Sequence, residues 1–233
     1  ISTVSHELRT PMTSIIGTTE MLEDELGGPL TDGQRSMLDI ISRNGERLLT
    51  LADDLLLTAK LHANKEQQPD DPVDLRDIAK ESNDSIMAAL NGRSIRLKLD
   101  LPSTPVMVTA SSFHLERAIT NLLSNAIKFS LEGGEVTLGV SIVGKEAIVE
   151  VSDNGIGIPR DELESVFDRF HRSPNAEKNA IQGTGLGLSL SLTLARLLGG
   201  DIALISRVGA GSTFRATFRL PPAPDARSVP RIS

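Results

Sequence analysis

One stretch of this chain admits few alternatives. Met37, Ile41, Asn44, Leu48, Leu51, Leu55 and Thr58 follow one another by four and three residues alternately. That is the seam of a heptad helix, with Asn44 and Thr58 as its polar members. Leu38, Leu49, Leu56, Leu57 and Leu61 widen the apolar surface beyond a single seam. Upstream, Leu8, Met12, Ile15, Thr19, Leu22 and Leu26 recur at helical spacing and predict a first helix, which Gly27-Gly28-Pro29 ends. Thr31 with Gln34 three residues on is the pattern of a capping box at the start of the second helix. Two helices of this length cannot bury both apolar faces against each other. Residues 1–64 therefore read as a helical hairpin completed by a second copy, a homodimeric four-helix bundle being the natural solution.

The pattern then changes. Residues 64–73, NKEQQPDDPV, are polar and hold two prolines, and 67–73 are taken as a linker. From 74 to 220 the chain reads as mixed α/β: helices over 74–90, 113–129 and 188–198, and strands over 95–101, 106–108, 201–206 and 212–219. Val136, Leu138, Val140 and Ile142 alternate, and Ile148 to Val151 pair with them across a Gly144-Lys145 turn. The Pro-rich tail, 221–233, is expected to be disordered. The expected fold class is multidomain, α followed by α/β.

Composition removes several function classes. The 24 Lys and Arg against 31 Asp and Glu leave a net charge of −7, a poor basis for binding nucleic acid. The absence of cysteine excludes a disulfide framework, a thiolate zinc site and a cysteine nucleophile. No apolar run approaches the ~20 residues of a transmembrane helix, and no signal peptide is visible. The chain starts at Ile1, so an upstream part is expected to have been cut away, and any membrane contact is expected only through it.

Three places carry chemistry. Asn121, Asn125 and Lys128 stand at i, i+4 and i+7 on one face of a helix whose opposite stripe is Leu115, Ile119, Leu122 and Ala126. Amide oxygens and a lysine on one face suit a hydrated Mg²⁺ with phosphates, and equally suit an exposed polar face. Two Gly-rich loops follow, Asp153-Asn154-Gly155-Ile156-Gly157-Ile158-Pro159 and Gly183-Thr184-Gly185-Leu186-Gly187-Leu188. Glycines let backbone N–H groups approach phosphate, and they also make tight turns. Neither loop has the spacing of the dinucleotide fingerprint or the Lys-Ser/Thr of a P-loop. Finally, His6 and Glu7 open the chain, on the polar side of the first helix, with Pro11 one turn on expected to kink it. An imidazole beside a carboxylate can be held in its nucleophilic tautomer, or be an ordinary surface histidine.

Together these segments resemble a known family, the sensor histidine kinases of bacterial two-component systems. Ser5 to Pro11, SHELRTP, is similar to their H-box, and Asn121 to Phe129, NLLSNAIKF, to the N-box. Asp153 to Pro159 resembles the first Gly-rich box, Val166 to Arg172, VFDRFHR, the F-box, and Gly183 to Leu188 the second Gly-rich box. All five stand in the family's order, and the resemblance spans residues 1 to about 220.

The resemblance implies a phosphotransfer domain at 1–66 and an ATP-binding domain at 74–220 with the α/β sandwich of Hsp90-type and MutL-type ATPases. The implied reaction moves the γ-phosphoryl of ATP to His6 and then to an aspartate of a response regulator. Glu7 would be the base or orienter of His6. Thr10 would position water to dephosphorylate the regulator. Asn125 would be the Mg²⁺ ligand, with Asn121 beside it and Lys128 near the phosphates. Asp153 would accept a hydrogen bond from the adenine amino group, Phe129 would pack on adenine, and Arg172 would meet phosphate. Gly155, Ile156, Gly157 and Ile158, with Gly183, Thr184, Gly185, Leu186 and Gly187, would form the nucleotide-binding loops. Residues 173–182 would be a mobile ATP lid, anchored by Phe167 and Phe170. The family places such a core in the cytoplasm, in parents that are often membrane-anchored. A pure ATPase of the same superfamily carries a glutamate where this chain has Asn121, and an asparagine is a poor general base. A catalytically silent scaffold would be expected to lack His6, Asn125 or the glycines.

Overall fold

The computed structural model describes residues 2–63, 71–88, 94–174, 181 and 183–220. Helix α1 (Ser2–Glu23) is continuous through Pro11. It stops short of the Gly27-Gly28 pair. Glu25 takes a left-handed φ of 59°, its N–H donates to the Leu22 carbonyl, and the Leu26 N–H donates to that of Met21. These two bonds make a Schellman cap with glutamate where glycine is usual. The Glu25 carboxylate is held by Arg35. Helix α2 (Asp32–Ala63) opens with the expected capping box. Gln34 N–H donates to Thr31 Oγ1 at 3.3 Å, and Thr31 N–H donates to Gln34 Oε1 at 2.9 Å.

The two helices approach closely where buried Gly45 meets Met12 and Ile16. Arg9 and Asp53 pair across the hairpin at 2.5 Å, fixing the antiparallel register. The heptad seam points elsewhere: Met37, Ile41, Leu48 and Leu55 are exposed, as are Ile15, Leu22 and Leu26 of α1. Among the described residues, no helix is long and apolar enough to cross a membrane.

The second unit begins earlier than its composition suggests. Residues 71–73, expected in the linker, form strand β1 (Asp71–Asp74) with Asp74, antiparallel to β3 (Met107–Ala110). The pair is only two strands wide, so Pro72 sits on an edge, where its missing N–H costs little. The rest of the expected linker, 67–70, and the tail 221–233 lie outside the described residues. Asp74 caps helix α3 (Leu75–Ala88), accepting from the N–H of Arg76 at 3.1 Å and from that of Val106 at 3.1 Å. The Arg76 guanidinium closes on the same carboxylate from 2.7 Å and holds it well below the usual range, at about 2.

The main sheet has strand order β2-β4-β5-β7-β6. Strand β2 (Arg96–Asp100) runs parallel to β4 (Glu135–Val143), which requires the crossover made by helix α4 (Ser112–Phe129). Strands β5 (Glu146–Asp153), β6 (Asp201–Arg207) and β7 (Gly211–Arg219) complete it antiparallel, and β4 and β5 turn at Gly144-Lys145 as expected. Phe214, Ala216 and Phe218 alternate inward along β7 with Arg215 and Thr217 outward. Helices α3, α4 and α5 (Gly187–Leu197) pack on the inward face, giving a two-layer α/β sandwich.

Candidate functional site

Helix α4 divides into the two stripes its sequence predicts. Leu115, Ile119, Leu122 and Ala126 are buried in the core. Asn121, Asn125 and Lys128 line a cavity of about 510 Å³ between α4, the two Gly-rich loops and α2. Arg117, one turn before Asn121, lines it too. It extends the same i, i+4 stripe and was legible in the sequence on that ground.

The first Gly-rich loop leaves β5 and folds back over the end of α4, where the Ile156 N–H donates to the Phe129 carbonyl at 3.1 Å. A side chain at Gly155 would collide with that carbonyl, and one at Gly157, whose φ is 67°, with the carbonyl of Arg207. These two glycines are needed for close backbone packing. In the second loop Gly185, at a φ of 72°, is packed in the same way against the Phe170–His171 backbone, but the glycines on either side have room. A Cβ at Gly187 would stand 3.7 Å from Asn125 Nδ2, and Gly183 faces open space. Asn121 Nδ2 donates to the Gly187 carbonyl at 3.4 Å, joining α4 to the start of α5. Ile156, Ile158, Phe129, Thr184 and Gly185 also line the cavity, whereas Gly155 and Leu186 support it from behind.

Asp153 closes one end of the cavity. It is buried, and Gly155 N–H donates to its Oδ1 at 2.8 Å. Burial raises its pKa, opposed by hydrogen bonds from the backbone of Gly155 and Ser212. Burial pushes the Lys128 ammonium below its ordinary value, and the charge of Asp54 opposes that shift. Arg43, Arg47, Arg117 and Arg172 add further cations around the lining. A cavity lined both by apolar side chains and by several cations fits a ligand that is part aromatic and part polyanion.

The F-box forms the floor. Phe167 packs edge-on against Phe214, with ring centroids 6.4 Å apart. Phe170 does not anchor by its ring, which is 59% exposed. Its backbone does so instead, at a φ of 63° and with its N–H donating to the Gly185 carbonyl. Arg172 Nη2 donates to the carbonyl of Ile181 at 3.1 Å, tying the two ends of the expected lid. The rest of that lid, 175–180 and 182, lies outside the described residues.

His6 and Glu7 belong to the first turns of α1, and Thr10 follows one turn later, exposed. Among the described residues α1 contributes nothing to the cavity, while α2 contributes Arg43, Glu46, Arg47, Thr50 and Asp54. Sequence reasoning missed this α2 face, because a charged helix face carries no sign of what docks on it.

Residues 110–223 match the family model described as histidine kinase-, DNA gyrase B-, and HSP90-like ATPase. Residues 1–64 match the His Kinase A (phospho-acceptor) domain. The circadian input-output histidine kinase CikA of Synechococcus elongatus is 38% identical over 216 residues, covering 92% of this chain and 29% of that protein. Histidine protein kinase DivJ of Caulobacter vibrioides is 34% identical over 223 residues, covering 95% of this chain and 36% of that protein. Full-length ShkA, solved in complex with AMPPNP, superposes with a TM-score of 0.73 at 28% identity, over 95% of this chain and 46% of that one. The chain thus spans about a third of the length of these curated relatives. The phospho-acceptor match sets aside a pure ATPase. With both matched domains in this order on one chain, and kinases as its relatives over nearly all of its length, the chain belongs to the sensor histidine kinases, the ATP-dependent protein-histidine kinases of two-component signalling, and carries their catalytic core.

Proposed function

We propose that this chain transfers the γ-phosphoryl group of ATP to His6, and from there to an aspartate of a response regulator. The observation that carries the reading is the half-apolar, half-cationic cavity, with Asn121, Asn125 and Lys128 on one wall, in a chain whose hairpin bears His6-Glu7. Adenine fits the end formed by Asp153, Phe129, Ile156 and Ile158. There the buried Asp153 carboxylate accepts from the exocyclic amine, which discriminates against guanine. The triphosphate lies toward Lys128 and the second Gly-rich loop, where the open space at Gly183 and the small Gly187 admit it.

The residues present also fit Mg²⁺. No group of three His, Asp or Glu that would hold a metal alone occurs among the described residues. Mg²⁺ at such a site takes few protein oxygens, and those of Asn125 and Asn121 suffice beside phosphate and water. Bound there, it supplies charge neutralisation to the triphosphate. A ring nitrogen of His6 attacks the γ-phosphorus; the N–P bond forms as the bond to ADP breaks, and Glu7 takes up the proton on the other ring nitrogen. Arg172 compensates the charge moving onto the leaving group. In the second step an aspartate carboxylate of the regulator attacks phospho-His6. Thr10, i+4 from His6 on the same face, orients water for the reverse task of clearing that aspartate.

Residues 1–66 act as the dimerisation and phosphotransfer domain, and 74–220 as the ATP-binding domain. The exposed apolar seam of α1 and α2 supports pairing with a second copy, since a patch of that kind on a lone hairpin marks an interface. The test is incorporation of γ-labelled phosphate from Mg·ATP into wild type and His6→Gln. Acid-labile, base-stable label that disappears with His6 is expected, while nucleotide binding stays intact. Asn125→Ala is expected to lose Mg²⁺-dependent nucleotide binding. Equal label in His6→Gln would reject His6 as acceptor, and unchanged binding in Asn125→Ala would reject the metal assignment.

A further inference from the structure

Among the described residues, the reaction above leaves the buried charge of Asp54 unused. Asp54 belongs to the hairpin, yet it is 3% exposed because the ATP-binding domain covers it. Arg117 Nη2 donates to its carboxylate at 2.6 Å. Its charge is also felt by the Lys128 ammonium. Two other contacts hold the same side of α2 to the domain. Arg47 Nη2 donates to the Gly183 carbonyl at 2.9 Å, and Leu57 packs on Ala118, Leu190 and Leu194. Arg47, Asp54 and Leu57 stand at i, i+7 and i+10, on one helix face.

The three contacts are not equivalent. Leu57 uses apolar surface on α4 and α5 that lies outside the cavity. Arg47 uses a backbone carbonyl. Asp54 alone uses the cations of the α4 polar face, and it lines the same cavity as Asn121, Asn125 and Lys128. A buried carboxylate is thus placed against the groups that a triphosphate requires. Like charges sharing a site of reduced dielectric oppose one another, and each must displace the other from its cations.

We propose that Asp54 is a competitor for the triphosphate, carried by the hairpin: while α2 is docked, its carboxylate takes up the cations that ATP needs, so docking weakens ATP binding and ATP binding loosens docking. The two effects are one coupling energy seen from two sides, and are equal by linkage. The penalty falls on phosphates and spares adenine. Asp54 therefore makes the docked form selective against ATP relative to adenosine, and ATP loading frees the domain from α2. The inference rests on the reading of the cavity as the nucleotide site.

Calorimetric titration of the chain and of Asp54→Asn with Mg·ATP, Mg·ADP and adenosine tests it, with far-ultraviolet dichroism showing that both are folded. Asp54→Asn is expected to bind Mg·ATP about tenfold more tightly, equivalent to ~1.4 kcal/mol, to gain less for Mg·ADP, and to bind adenosine unchanged. Leu57→Ala, which loosens docking without altering charge, is expected to tighten Mg·ATP in the same direction. Docking is read by energy transfer between dyes on Glu20→Cys and Lys145→Cys, the only cysteines in such a chain, diluted into unlabelled protein. Mg·ATP is expected to shift the transfer of the otherwise unchanged chain toward the value that Asp54→Asn has without nucleotide. Equal Mg·ATP affinity in Asp54→Asn, or an equal gain for adenosine, overturns the proposal while leaving the nucleotide site standing. Failure of every form to bind any of the three ligands overturns the site reading and the proposal together.

Discussion

Replacing Asp74 by asparagine removes one charge and little else. Asparagine is as good an N-cap as aspartate, and its oxygen still accepts from the N–H groups of Arg76 and Val106. What disappears is the ion pair with the Arg76 guanidinium, in a carboxylate whose side chain is only 12% exposed. That environment lowers the Asp74 pKa from 3.8 to about 2, chiefly through the Arg76 side chain. At ~1.36 kcal/mol per unit, the lowering corresponds to about 2 kcal/mol of folding stability as an upper bound. The sign follows from the direction of the shift. A lowered carboxylate pKa stabilises the folded state above the unfolded value and ceases to do so as pH falls through the folded one. The deficit of Asp74→Asn is therefore full at pH 7, shrinks below about pH 4 and vanishes near pH 2. Urea unfolding at fixed pH, followed by circular dichroism because the chain has no Trp or Tyr, reads it directly. In thermal scans near neutral pH the same deficit is a loss of roughly 4–8 °C. A deficit that stays constant from pH 6 to pH 2.5, or none at pH 7, would refute the argument.

Three further outcomes follow from contacts already described. Asp153→Ala is expected to weaken Mg·ATP binding by about 10- to 100-fold, the loss of one hydrogen bond to a charged acceptor, and a smaller change in titration would remove Asp153 from adenine recognition. Gly155→Ala drives a methyl group into the Phe129 carbonyl and should destabilise the ATP-binding domain by ~1–3 kcal/mol; an unchanged melting temperature would show that the loop has room. Thr31→Ala loses the capping box of α2 and should cost the hairpin about 1 kcal/mol in urea melts, against no change if the box is idle.

What the sequence disclosed was local and periodic. The seam of α2, the Thr31–Gln34 box, the Gly144-Lys145 turn and the two stripes of α4 each depend on residues within a few positions of one another, so spacing alone announced them. What it withheld depends on distant partners. Strand β1, Asp-Pro-Val-Asp, has no strand pattern of its own and becomes a strand only by meeting β3 more than thirty positions on. The end of α1 turned on Glu25 accepting a left-handed backbone beside Arg35, not on the glycines that follow. Of the glycines, Gly155 and Gly157 serve backbone packing, a role their spacing does not distinguish from phosphate binding. The side of α2 that lines the cavity looks like any solvated helix face until a second unit lies against it.

Strand β1 also sets a leash. Once Asp71 is paired to Ala110 and Asp74 is locked by Arg76, the covalent path from α2 to the ATP-binding domain shortens to residues 64–70. Seven residues reach at most about 25 Å. The Arg9–Asp53 pair puts His6 level with a point about 10 Å back along α2 from Ala63, whereas the far end of α2, at Asp32, is about 46 Å away. The anchor of the domain can therefore patrol the His6 end of its own hairpin and can never visit the Gly27-Gly28 turn. Lengthening this stretch enlarges the territory that the domain can sweep around its own hairpin, and shortening it confines the domain to the top of α2.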